Sequence, residues 1–113
     1  MIEKSQIKGL EKLLNSDVIK NIYPIVGEIE VHNSDNPFDV LEDTLHLNIY
    51  LNIYLNKPKE ENDLWDKFNF DEHWMVDHHI RKLLPYLGID NDKTSIRFTI
   101  YDANMDMIKT NDF

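Results

Sequence analysis

Histidines and carboxylates are the side chains of this 113-residue chain whose types could do chemistry. His73, Asp77, His78 and His79 lie close together, preceded by Asp71 and Glu72, at the start of a segment with helical periodicity. Imidazole and carboxylate groups at helical spacing are the raw material of a metal site or an acid–base pair. Stepping around a helix at about 100° per residue separates them. His73 falls near the apolar stripe, Asp77 and His79 flank it on opposite sides, and His78 faces solvent. Only His73 and Asp77, four apart, could share an ion, and two ligands make a weak site, so no metal and no cofactor is expected. A small metal-dependent enzyme using His73 and Asp77 is kept as a second alternative.

Other catalytic patterns are missing from the sequence. There is no H-E-x-x-H and no G-x-S-x-G. Asp90–Thr94 and Asp102–Asp106 begin like calcium loops. Ser95 and Met107 stand where such a loop needs glycine, and Tyr101 and Phe113 where it needs the closing glutamate, so both are expected to be turns. Gly9, Gly27 and Gly88 are too far apart to cradle a phosphate. The chain has no cysteine, which excludes thiol catalysis, disulfides and cysteine-ligated metals. No catalytic residue is assigned.

Aromatic residues in unexpected places are more informative. Leu64, Trp65, Phe68 and Phe70 lie in a connection that also carries Glu60, Glu61, Asp63 and Asp66. On the helix that follows, Trp74 falls roughly opposite the apolar stripe, near His78 and Arg81, and Met75 is also off the stripe. Aromatic and arginine side chains at a surface dominate binding energies. Two arrangements fit. In one, the connection folds back and its aromatics pack over Trp74 as a small second core. In the other, Leu64, Trp65, Phe68, Phe70, Trp74, His78 and Arg81 form a partner-binding patch, with Glu60, Glu61, Asp63 and Asp66 as its acidic rim.

The charge points to the same region. The chain has 21 acidic and 12 basic side chains, a net charge of −9. Residues 1–27 are slightly basic, residues 78–113 are balanced, and the whole excess sits in 28–77, chiefly in Asn33–Asp43 and Lys57–Glu72. Such a balance disfavours direct nucleic-acid binding and anionic membrane surfaces. No apolar run approaches the roughly 20 residues of a membrane span, and no signal peptide is visible, so a soluble intracellular protein is expected. Lysine far outnumbers arginine, and Asn and Ile are abundant. That bias suggests AT-rich coding, as in a low-GC bacterium or its phages, and suits a phage-encoded accessory or virion component.

The elements that must position these residues can be placed. Ile7, Leu10, Leu13 and Leu14 predict a helix over Ile2–Asn15, followed by a short turn of helix over Asp17–Tyr23 capped by Ser16. Ile25–His32 reads as a first strand. Leu45–Asn56 alternates strictly, with Leu45, Leu47, Ile49, Leu51, Ile53 and Leu55 on one face and His46, Asn48, Tyr50, Asn52, Tyr54 and Asn56 on the other. It contains Leu-Asn-Ile-Tyr twice, a duplication that preserves side-chain parity. Lys57–Asn69 reads as a connection and Phe70–Leu87 as the second main helix, striped by Val76, Ile80, Leu83, Leu84 and Leu87, disturbed at Pro85 and stopped at Gly88. Thr94–Tyr101 is a third strand, and Met107–Lys109 a short hairpin partner.

The expectation is a single α+β domain over 1–113, in α-β-β-α-β order with a short fourth strand. A small, mainly antiparallel sheet carries two helices on one face. The expected strand order is 2-1-3, with strand two antiparallel to strand one and strand three parallel to strand two after a crossover. If the Leu45–Asn56 strand were an edge it would invite self-association. The function expected is that of a small acidic, non-enzymatic interaction module, such as an adaptor, assembly component or inhibitor, binding a protein through the 57–82 region. The alternative is an acidic decoy that mimics nucleic acid and blocks a basic protein.

Overall fold

The alternating run that starts near Leu45 becomes an inner strand of the sheet. The computed structural model describes residues 2–34, 43–54 and 63–113. Its elements are α1 (Lys4–Leu14), α2 (Asp17–Ile22), β1 (Val26–Ser34), β2 (Asp43–Leu51), α3 (Asp63–Phe70), α4 (Glu72–Met75), a π-helical turn (Val76–Ile80), α5 (Arg81–Leu83), 3-10 turns at Pro85–Leu87 and Asn91–Lys93, β3 (Thr94–Tyr101) and β4 (Met107–Asp112). The fold is α+β, a four-stranded mixed sheet with helices.

The strand order is β1-β2-β3-β4, which corrects the expected 2-1-3 arrangement. β1 and β2 are antiparallel, β2 and β3 parallel, and β3 and β4 antiparallel. The physical reason is charge. β2 carries no charge between Leu45 and Leu51, and its backbone is paired on both sides. Glu28, Glu30 and His32 lie on β1, and Lys109 and Asp112 on β4, so charged strands take the edges. Self-association through β2 as an edge is thereby corrected as well. The strand also ends earlier than expected. After Leu51 the chain bends at Asn52 and Ile53, although the Asn52 amide still donates to Ile25 O at 2.8 Å and the Ala103 amide to Ile53 O at 2.8 Å. The second Leu-Asn-Ile-Tyr copy therefore leaves the sheet after its leucine, and Leu55 and Asn56 lie outside the described residues. Where β1 bulges between Val26 and Glu28, glycine fits most easily, because a Cβ on Gly27 would lie a tight 3.0 Å from the Tyr50 carbonyl oxygen.

Parity behaves as the sequence predicts. Leu45, Leu47, Ile49 and Leu51 of β2 are buried with Ile96, Phe98 and Ile100 of β3, while His46, Asn48 and Tyr50 are half-buried on the other face. Leu10 and Leu14 of α1, Ile19 of α2 and Met75, Val76, Ile80 and Leu84 of the later helices join the same core.

α1 also guards the β1 edge. Asn15 Oδ1 accepts from the Ile29 amide at 2.9 Å, and Asn15 Nδ2 donates to Ile29 O at 2.7 Å. Glu11 Oε2 accepts from the Val31 amide at 2.9 Å. These side chains occupy backbone groups that another chain would otherwise pair with.

The largest departure from expectation concerns residues 63–87. The connection already turns helical at Asp63, and the single helix expected over Phe70–Leu87 is a track of short pieces with a π turn at its middle. The buried residues explain it: Phe68, Glu72, Val76, Ile80 and Leu84 recur every four positions. On a regular α-helix a step of four overshoots a full turn by about 40°, so five such residues would wind off one face. The π turn closes i to i+5 and takes more residues per turn, which reverses the drift and keeps the ladder on the core. Gly88, at φ 75°, stops the track in the left-handed conformation expected of it.

Candidate functional site

The phase that buries one ladder exposes another. Phe70, Trp74, His78, Lys82 and Tyr86 also recur every four residues, and all five are exposed. Phe70 is 87%, Trp74 56% and Tyr86 88% exposed. The Trp74 and His78 rings stack with centroids 3.6 Å apart and planes at 23°. This exposed ridge runs along the helical track from α3 to the 3-10 turn.

Beside it lies a groove of about 400 Å³ between the α1–α2 corner and the track, lined by Leu13, Ser16, Val18, Ile19, His78, His79, Lys82, Leu83 and Tyr86. That volume falls within the roughly 300–1,000 Å³ of ligand pockets. Leu13 and Val18 are exposed on its α1–α2 wall. His79 lines it beside His78 and Lys82. Burial pushes its pKa below the usual imidazole value, and the neighbouring His78 and Lys82 push it further.

The residues singled out in the sequence fall in different places. Phe70, Trp74 and His78 fall on the ridge. Trp65 and Phe68 do not: they are 4% and 1% exposed, in the main core. Their rings pack together at 6.1 Å, and Phe68 meets Tyr23 edge-on at 5.5 Å. Placing them on a surface patch is therefore corrected, because the helix Asp63–Phe70 turns one face to the core. Met75, expected off the stripe, is also fully buried. Arg81 is engaged internally. Its Nη1 donates to Asn91 Oδ1 at 2.9 Å and Thr94 O at 3.1 Å, and its Nη2 to Phe113 O at 3.3 Å, tying the track to the start of β3 and the last residue. Of the acidic rim, Asp66 is exposed on α3. Glu60 and Glu61, and the side chains of Asp63 and Leu64, lie outside the described residues.

The chemical candidates find structural partners. His73 packs edge-on against Phe113 at 4.9 Å. Among the described residues, no three histidine, aspartate or glutamate side chains are grouped to hold a metal ion. Asp102 ties a turn, its Oδ1 accepting from the amides of Asn104 at 2.9 Å and Asp106 at 3.1 Å, and Asp90 accepts from the Asp92 amide at 3.0 Å.

The other face of the sheet is polar and bonded to itself. Tyr50 and Tyr101 stack at 5.2 Å, and the Tyr50 hydroxyl donates to Glu30, which raises its pKa to about 12. His46 Nε2 meets Thr99 Oγ1 at 2.7 Å, and Arg97 Nε donates to Asp112 Oδ1 at 2.6 Å. These groups satisfy one another and leave less for a ligand than the ridge does.

Sequence reasoning missed Lys82 and Tyr86 on the ridge and Leu13 and Val18 across from it. A signal was present for the first two: the period of four that starts at Phe70. Leu13 and Val18 carry no such signal, because only the packing of α2 beside the track makes them neighbours of Tyr86. No helix among the described residues is long and apolar enough to cross a membrane. No family model, curated protein or solved structure matches the chain.

Proposed function

We propose that this chain is a small, non-enzymatic interaction module that binds a protein partner through the ridge Phe70–Trp74–His78–Lys82–Tyr86 and the groove beside it. The supporting observation is the exposure of three large aromatic side chains in register on one helical stripe. An isolated exposed apolar residue needs no explanation, but three large exposed aromatics along one helical track are more than scattered single residues. Tryptophan and tyrosine are also the residue types that most often anchor interfaces. Adaptor, assembly component and inhibitor are all roles of this kind.

The test is a paired capture from the native host with the wild-type chain and the Trp74→Ala/Tyr86→Ala double variant. A partner that co-purifies with the wild type should be lost from the variant, while far-UV circular dichroism and melting stay unchanged, because both side chains are exposed. Equal capture by the two proteins would sink the proposal.

A further inference from the structure

We infer that the groove takes a segment of a partner protein that is apolar on one side and acidic on the other, in the form of an amphipathic helix. This rests on the docking function proposed above and names its chemistry. Charge complementarity supports it. The chain carries a net charge of −9, yet none of the nine residues lining the groove is acidic, and three of them are His78, His79 and Lys82. Asp17 and Asp77 neighbour lining residues in sequence but do not line the groove themselves. A negatively charged segment is repelled by the acid-rich stretch 28–77, whereas in the groove it meets Lys82 and no acidic lining residue.

The opposite wall and floor supply Leu13, Val18, Ile19, Leu83 and Tyr86. Helices that dock in such grooves place apolar anchors at i, i+3, i+4 and i+7 and keep their polar residues at the rim. Carboxylates at that rim face Lys82 and His78.

The experiment is selection of phage-displayed random peptides, about 15 residues long so that they can form a helix, on the full chain. Counter-selection uses Val18→Glu, whose native side chain is exposed, so that the fold is preserved. The expected winners have net negative charge and apolar residues at helical spacing. A synthetic winner should bind about tenfold more weakly to Lys82→Glu and more weakly still as salt is raised. It should fail to bind Tyr86→Ala.

Winners that are basic or uncharged would overturn this inference and leave the docking function standing. Loss of every enriched peptide to the Val18→Glu counter-selection, or the absence of any enriched peptide, would overturn both. Two further measurements use the chain alone. Sedimentation with phosphatidylcholine–phosphatidylglycerol vesicles should show no binding that Lys82→Glu removes, and ultracentrifugation should show no dimer that Val18→Glu dissociates. Either of those results would assign the groove to lipid or to a second copy and overturn the proposal.

Discussion

Replacing Asn15 with alanine should unfold this protein more readily than any exposed substitution, because Asn15 does for Ile29 what another strand would do. Its carboxamide accepts from the Ile29 amide at 2.9 Å, and donates to Ile29 O at 2.7 Å and Glu11 O at 2.8 Å. An intramolecular hydrogen bond contributes about 0.5–1.5 kcal/mol net, and a buried group left unpaired costs about 1–3 kcal/mol. The site is half-buried, so water replaces part of what is lost. The working value is about 2–3 kcal/mol, against a total of roughly 5–15 kcal/mol for a domain. Urea melts followed by far-UV circular dichroism measure it.

Asn15→Asp sharpens the test. It keeps the acceptor for the Ile29 amide but removes both donors and sets a carboxylate against two carbonyl oxygens. It should be at least as damaging as alanine at pH 7, and should recover in part at pH 4, where the protonated acid can donate one bond. Both variants uncover the β1 edge, so both should self-associate with rising concentration. An alanine variant within about 0.5 kcal/mol of wild type, the usual range for an inert surface change, would refute the reasoning.

Two further outcomes follow from buried and half-buried charge. Glu72 is 3% exposed and accepts from Lys109 Nζ at 2.9 Å and Asn111 Nδ2 at 2.7 Å, clasping α4 to β4, while its Oε1 has no hydrogen-bond partner among the described residues. Lys109→Met leaves that carboxylate buried without its counter-charge, held by Asn111 alone, and should cost about 3 kcal/mol in a urea melt; the double change with Glu72→Leu should recover most of it, since the pair's own contribution is small. Stability should also fall as the pH drops below about 6.5. Burial, helped by Arg97 and His32, holds the His46 pKa below its ordinary value, so the unfolded chain takes up the proton first and the contribution present above pH 6.5 is lost as the pH falls through the folded value. His46→Gln should flatten this dependence in part, His79 supplying the remainder with the same sign; an unchanged pH profile would contradict the assignment.

What was legible in the sequence depended on period two and on local stops. The boundaries of Thr94–Tyr101, the inward and outward faces of β2, the stop at Gly88 and the turns at Asp90 and Asp102 all follow from residues within a few positions of one another. The strand order did not. Antiparallel β1–β2 and parallel β2–β3 are compatible with β1 or β2 in the middle, and the choice rests on edge charge and on α1 reaching across to Ile29 and Val31. Arg81 was misread for a related reason. Its partners Asn91, Thr94 and Phe113 are distant in sequence, so an internal clamp and a surface anchor look alike until the chain has folded.

The candidate site was half visible because core and surface follow one rhythm over residues 68–86. A wheel drawn at about 100° per residue puts Met75 off the stripe and lets a series spaced by four wander around the helix. The sequence nevertheless keeps placing large apolar residues at 68, 76, 80 and 84, with Glu72 between them held by a lysine from β4. A chain that must bury such a series has two choices: twist away from the sheet or widen a turn. The π turn at Val76–Ile80 is the second choice. By holding the buried ladder on the core it holds the interleaved series 70, 74, 78, 82 and 86 on the opposite side, so the residues that form the ridge are aligned by the same geometry that anchors the helix. The exposed aromatics are therefore not strays displaced from the core. They occupy the positions that a period of four leaves outside.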